Sequence, residues 1–145
     1  MNISQKGIDI IKKFEGFRSE KYICPAGKKT IGYGHVIHEN DINKNKITQE
    51  EAERVLLEDL KAPIFTITKG VHVPLSQNQF DALVSLVYNW GGGNFLRSKG
   101  RWFLNQGNYK AAWREFSQVN KANGIIIKGL QKRRDAEGEL FNAEA

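Results

Sequence analysis

Glu15, Cys24 and Thr30 follow one another with eight and then five residues between them. A carboxyl can deliver a proton, and a thiolate can serve as a base, an electrostatic stabiliser or a nucleophile. Each residue also has a plain reading. Glu15 closes an apolar-periodic stretch, so it is a solvated carboxylate at the unfavourable end of a helix dipole. Cys24, the one cysteine, precedes Pro25 and reads as a small buried hydrophobe. Thr30 reads as a strand residue. At the edge of a cleft between helix and sheet, a desolvated Glu15 would instead keep its proton more readily and act as a general acid.

Asp59 falls three and four residues after Leu56 and Val55, on the apolar side of its helix, where a carboxylate is costly unless paired. His35 can reach it, and the pair would be structural, tying a sheet to that helix. Gly32-Tyr33-Gly34 lacks the third glycine and the following helix of a dinucleotide loop, which rejects a nucleotide site. Lys128, Lys132, Arg133 and Arg134 form the only dense basic cluster, read as a solvated helix face.

These residues need elements to position them. Ser4 is a candidate N-cap, and Ile3, Ile10, Phe14 and Ile11 share a helical face, which predicts a helix over 4–14 stopped by Gly16. From Phe17 to Ile42 the period changes. Short extended segments alternate with the turns Pro25-Ala26-Gly27 and Glu39-Asn40-Asp41, which predicts a small antiparallel sheet within 15–47. Thr48…Glu51 is a capping box opening a connecting helix over 49–62, closed by Pro63. A second box, Ser76…Gln79, opens a helix apolar on nearly every side, which marks it as central and buried, and Gly91-Gly92-Gly93 breaks it. Helical patterns follow at Phe95–Asn105, Asn108–Val119 and Leu130–Phe141, giving a helical lobe over 64–145. The fold class is α+β: a single domain over 1–145, in two lobes that imply a cleft, the usual place for a polymer site.

Composition narrows the function classes. The chain has 145 residues, 40% hydrophobic and 26% charged, with three prolines, so it is neither disordered nor fibrous. It contains no apolar run of the roughly 18 residues that a membrane span needs. Met1 to Gly7 show no secretory pattern, which predicts synthesis in a reducing compartment. One cysteine and three histidines argue against a structural zinc, and no metal or cofactor is expected. Lys and Arg outnumber Asp and Glu by 22 to 16, a mild excess suited to an anionic polymer; a bacterial envelope fits as well as nucleic acid, which is not the expected partner.

Phe14-Glu15-Gly16, Tyr22-Ile23-Cys24-Pro25-Ala26-Gly27 and Thr30-Ile31-Gly32-Tyr33-Gly34-His35 resemble the signature of phage-type lysozymes, glycoside hydrolase family 24. That family's pattern is Glu, eight residues, Asp or Cys, five residues, Thr, and Glu15, Cys24 and Thr30 match it throughout. The resemblance continues through Ile47-Thr48…Glu51-Ala52-Glu53, Tyr88-Asn89-Trp90-Gly91, Asn105-Gln106-Gly107 and Gly129-Leu130…Arg133-Arg134. The chain departs from the common pattern at Lys99-Gly100-Arg101 and Ser117-Gln118-Val119, both in the helical lobe.

The resemblance implies a lysozyme-like fold and a monomeric endolysin. Such an enzyme cuts the β-1,4 bond between N-acetylmuramic acid and N-acetylglucosamine and lyses the host after a separate holin-type pore admits it to the wall. It implies Glu15 as general acid, and Cys24 beside a water held by Thr30, in line with the inversion associated with the family. Val36, Tyr88 and Asn89 match sugar-contact positions, though ordinary core packing accounts for them equally well. One arginine is implied near the catalytic Glu; Arg134 is preferred over Arg133. Two other readings stand beside this one. Cys24 could be the nucleophile of an amidase or peptidase with His35 or His38 as base, or the chain could be a wall-binding or phage structural module without catalysis.

Overall fold

Capping chemistry and glycine positions set most element boundaries in the computed structural model, which describes residues 1–38, 41 and 45–144. The described residues fall into two compact units, residues 11–61 and residues 1–10 with 62–145.

The first unit carries the sheet. Helix α1 (Gln5–Glu15) ends in it, and Gly16 stops the helix in the left-handed region at φ +71°. The Gly16 N–H returns to the Lys12 carbonyl at 2.9 Å. Strands β1 (Arg18–Ile23), β2 (Lys29–Gly32) and β3 (His35–Val36) follow as an antiparallel sheet in that order, and Thr30 pairs with Tyr22 on one side and Val36 on the other. Of the expected turn Glu39-Asn40-Asp41, only Asp41 lies among the described residues, and Ile42 lies outside them as well.

Helix α2 (Gln49–Asp59) opens on the full Thr48–Glu51 capping box. Ala52, Leu56 and Leu60 are buried together with Ile11 and Ile31. Gly32 brings β2 close to α2: a Cβ there would meet Ala52 Cβ at 3.2 Å and Ile47 Cδ1 at 3.1 Å.

The second unit is helical. It contains α3 (Lys61–Gly70), α4 (Gln77–Trp90), α5 (Gly92–Leu96), α6 (Lys99–Asn105), α7 (Tyr109–Phe116) and α8 (Lys128–Asn142), with a hairpin of β4 (Lys121–Ala122) and β5 (Ile125–Ile126) before the last helix. The Ser76–Gln79 box caps α4, which is buried from Phe80 through Val87. Trp113 stacks on Phe141 with ring centroids 5.0 Å apart, and Phe95 on Phe116 at 5.6 Å.

Four expectations change. The helix expected over 49–62 ends at Asp59, and Pro63 sits in the first turn of the next helix, where a missing N–H costs nothing. Ser4 occupies the N-cap position of α1, since its carbonyl accepts from the Ile8 N–H at 3.1 Å, but its hydroxyl donates to Asp81. The pattern at Phe95–Asn105 is two helices, because Ser98 starts a new one by accepting from the Arg101 N–H at 3.1 Å. The hairpin at 121–126 was not expected. Asn123 and Gly124 turn it with φ of 51° and 79°, the geometry that Asn-Gly favours between two short strands.

His35 and Asp59 do meet. Nδ1 of His35 lies 2.7 Å from Asp59 Oδ2, and Nε2 lies 2.7 Å from Asp41 Oδ2. The Asp59 hydrogen bond, with Asp41 adding to it against the opposing effect of burial, raises the His35 pKa above its ordinary value. Asp41 lies below the usual carboxylate range: burial pushes it up, but His35 and the His38 N–H outweigh that. A raised histidine stabilises the fold fully below its unfolded pKa of about 6.5 and stops doing so as pH rises through the higher folded value. Asp59→Asn is therefore expected to lower stability by roughly 1.5–3 kcal/mol at pH 5–6, the value of a charge-assisted hydrogen bond, with a smaller loss at pH 9. Thermal melts at the two pH values, with NMR titration of His35, measure this; an equal loss at both would show that the histidine charge is not involved.

Candidate active site

Glu15 is the last residue of α1, and its carboxylate lies against the bare α-carbon of Gly34. A Cβ on Gly34 would stand 2.5 Å from Glu15 Oε1, and Gly34 also holds φ +80°. The side chain is half-buried. Gly34 occupies the turn between β2 and β3, so the carboxylate is placed by the end of a helix on one side and a strand turn on the other.

Cys24 sits at the turn that joins β1 to β2. The Gly27 N–H returns to the Cys24 carbonyl at 2.8 Å, with Pro25 and Ala26 at the corner, and the Cys24 N–H donates to the Lys28 carbonyl at 2.9 Å. The same turn favours the thiolate over the thiol. The Lys28 N–H lowers the thiol pKa most; partial burial opposes it, and the Thr30 hydroxyl, the Ala26 N–H and the Lys28 ammonium add to the lowering. Thr30 is buried, and its hydroxyl also reaches the Lys28 carbonyl at 3.0 Å.

Register adds two residues. Tyr22, Thr30 and Val36 are direct cross-strand partners, so their side chains share one face of the sheet. Val36, expected as a sugar contact, is half-buried beside Thr30. Tyr22 was not singled out from the sequence. Its phenol pKa is raised by burial first and then by the negative charge of Glu15, with Arg18 opposing and Cys24 adding, and Arg18 stacks on its ring at 4.3 Å. Its alternation with Thr30 was readable only once the strand register was known.

The other expected residues belong to the helical unit. Asn89 is exposed and accepts a hydrogen bond from Arg134 Nη2 at 2.9 Å; Tyr88, before it, is half-buried. Both Arg133 and Arg134 point inward, so the basic cluster is not wholly a solvated face. Arg134 Nε lies 2.7 Å from Glu137 Oε1, and Arg133 Nε lies 3.2 Å from Oε2, which Ser85 Oγ also meets at 2.5 Å. Burial raises the Glu137 pKa, with Arg134 and Arg133 pulling the other way. Sequence reading missed Glu137, although a glutamate three residues after an inward arginine is a ready partner. No cluster of metal-ligating side chains occurs among the described residues.

The turn makes a thiol more acidic than usual, and this can be measured. The pH dependence of Cys24 alkylation is expected to have its midpoint below about 8.5, the ordinary cysteine value, and Thr30→Val is expected to move it upward. A wild-type midpoint at or above the ordinary value would show that the turn N–H groups do not hold the thiolate.

Comparison with known proteins gives the geometry a family. Residues 12–137 match the family described as phage lysozyme. An endolysin of Acyrthosiphon pisum secondary endosymbiont phage 1 is 44% identical over 147 residues, covering 99% of either chain. An endolysin of Bacillus phage PZA is 42% identical over 99% of this chain, which spans 56% of that longer protein. The muramidase domain of SpmX from Asticaccaulis excentricus superposes with a TM-score of 0.90 at 34% identity, covering 99% of each chain. With the Glu–Cys–Thr spacing intact, on a helix end, a strand turn and a strand of one compact unit, the chain belongs to the phage lysozyme family and is a glycoside hydrolase of the muramidase endolysin type.

Proposed function

We propose that the protein hydrolyses the β-1,4 bond between N-acetylmuramic acid and N-acetylglucosamine with inversion, Glu15 acting as general acid. The observation that carries this is the Glu15 carboxylate set against Gly34 in the same unit as the anion-holding turn of Cys24. Glycosidic cleavage needs a proton on the leaving oxygen and stabilisation of an oxocarbenium-like state. Glu15 supplies the proton. The Cys24 thiolate, kept available by its lowered pKa, orients and deprotonates the attacking water, and Thr30 fixes the sulfur. Val36, Tyr88 and Asn89 are the proposed sugar contacts, on the family resemblance, and the protein acts as a monomer. Release from the host cytoplasm through a separate holin-type pore is proposed on family resemblance; no described helix is long and apolar enough to cross a membrane.

His35 is poorly suited to activate a cysteine nucleophile, because both its ring nitrogens face carboxylates at 2.7 Å. That observation counts against His35, one of the two candidate bases of the amidase reading; His38 is the other.

Two substitutions test the assignment. Glu15→Gln removes the proton donor at nearly constant shape and is expected to reduce reducing-end release from purified peptidoglycan by roughly 100- to 10,000-fold, with an unchanged melting temperature. Near-normal release by the folded variant would remove Glu15 from the mechanism. At position 24, Cys24→Asp is expected to keep substantial activity and Cys24→Ala much less, since a carboxylate can also orient water. Equal inactivity of both folded variants, with amino groups rather than reducing ends released by the wild type, would favour the amidase.

A further inference from the structure

Arg134 is fully buried, yet it directs one nitrogen outward to an exposed side chain, Asn89, near the end of α4. A guanidinium has donors only, so it must meet the amide oxygen of Asn89 and not its nitrogen. This fixes which way the amide points. Oδ1 is turned inward and engaged, and Nδ2, for which no partner occurs among the described residues, is left toward solvent as a donor.

The guanidinium is itself held in place. Its Nε faces Glu137 Oε1 at 2.7 Å, Nη2 reaches Glu137 Oε2 at 3.3 Å, and Nη1 reaches the Val119 carbonyl at 3.4 Å. Glu137 is fully buried and is fixed in turn by Ser85 Oγ and by Arg133, whose Nη2 also donates to the Ser85 carbonyl at 3.2 Å. An exposed asparagine ordinarily turns its amide freely between water contacts. Here a buried ion cluster spanning α4 and α8 fixes one amide face.

We propose that Glu137 is a positioning residue for substrate binding: through Arg134 it presents the Asn89 amide as a fixed donor to the N-acetyl carbonyl of a glycan residue. This rests on the glycosidase reading above. Among the groups of an amino-sugar polymer, the acetamido oxygen is a strong neutral acceptor repeated on every residue. A donor fixed in advance meets it without first losing rotational freedom.

Steady-state kinetics on purified peptidoglycan, native and chemically de-N-acetylated, test the proposal, with wild-type protein, Asn89→Ala, Glu137→Gln and the double variant. Loss of one neutral hydrogen bond is expected to raise KM by about 2- to 10-fold in Asn89→Ala, with a smaller effect on kcat. Glu137→Gln is expected to raise KM by about the same factor. The double variant should add little to either, because both changes break one chain of contacts. De-N-acetylation should raise the wild-type KM and leave that of Asn89→Ala nearly unchanged.

Glu137→Gln leaves two buried guanidiniums facing a neutral amide and can unfold the chain. Arg134→Lys is the second probe, since a lysine can keep a charge beside Glu137 without the fork that also reaches Asn89. It should reproduce the KM of Asn89→Ala in a protein that melts normally. A wild-type KM in folded Glu137→Gln or Arg134→Lys, or KM effects that multiply in the double variant, would overturn the positioning role. Reducing-end release with a KM indifferent to Asn89 would overturn this proposal alone. An absence of reducing ends from the wild type would overturn the glycosidase reading and this one with it.

Discussion

The candidate acid depends on one close approach, the Glu15 carboxylate against the α-carbon of Gly34. A methyl group there would lie 2.5 Å from Oε1, far inside van der Waals contact, and the backbone at +80° would disfavour it independently. Other features of the sheet unit serve that approach. Gly16 stops α1 one residue after the glutamate, and Gly32 lets β2 lie close to Ala52 of α2, which fixes the strand from which the Gly34 turn extends. Three glycines with positive φ thus hold the carboxylate from the helix end, the strand and the turn.

The helical unit solves a different problem. It buries two arginines and a glutamate, and the cost of removing such charges from water can exceed their mutual attraction. A hydrophobic trio of similar volume could stabilise the packing of α4 on α8 as well or better. What such a trio could not do is carry a fixed hydrogen-bond donor through a buried layer to a surface amide. The ion cluster is better explained by what it orients than by stability.

Features that depend on local chemistry were legible in the sequence. Both capping boxes form as read, Gly16 and Gly91 end their helices, and the carboxylate of Asp59, misplaced on an apolar face, finds the histidine it needs. Features that depend on register or long-range burial were not. Tyr22 joins the site because it pairs with Thr30, and a bulge between Arg18 and Tyr22 separates that pairing from simple counting along β1. Nothing in the sequence separates Glu137 from the other charges of its helix, since only the tertiary fold shows that α8 buries this side. Pro63 is ambiguous in the sequence for another reason: proline is compatible both with the residue after a helix and with the first turn of the next, and the sequence around it fits either.

Cysteine at position 24 is the chemically unusual choice, and the turn explains why it can stand there. The lowering effects on its sulfur come mostly from the turn itself, from the N–H groups of Lys28 and Ala26, together with the Thr30 hydroxyl and the Lys28 ammonium. Backbone N–H groups favour an anion placed before them, a carboxylate oxygen more strongly than a thiolate sulfur. The turn is therefore an anion-holding device whose geometry is set by Pro25, the Gly27 corner and the β1–β2 pairing, not by the residue it holds. A carboxylate is already ionised at neutral pH and gains little protonation change from such a turn, whereas a thiol near its ordinary pKa is mostly neutral and gains a great deal. The same backbone therefore matters more to the ionisation of a cysteine at this position than it would to that of an aspartate.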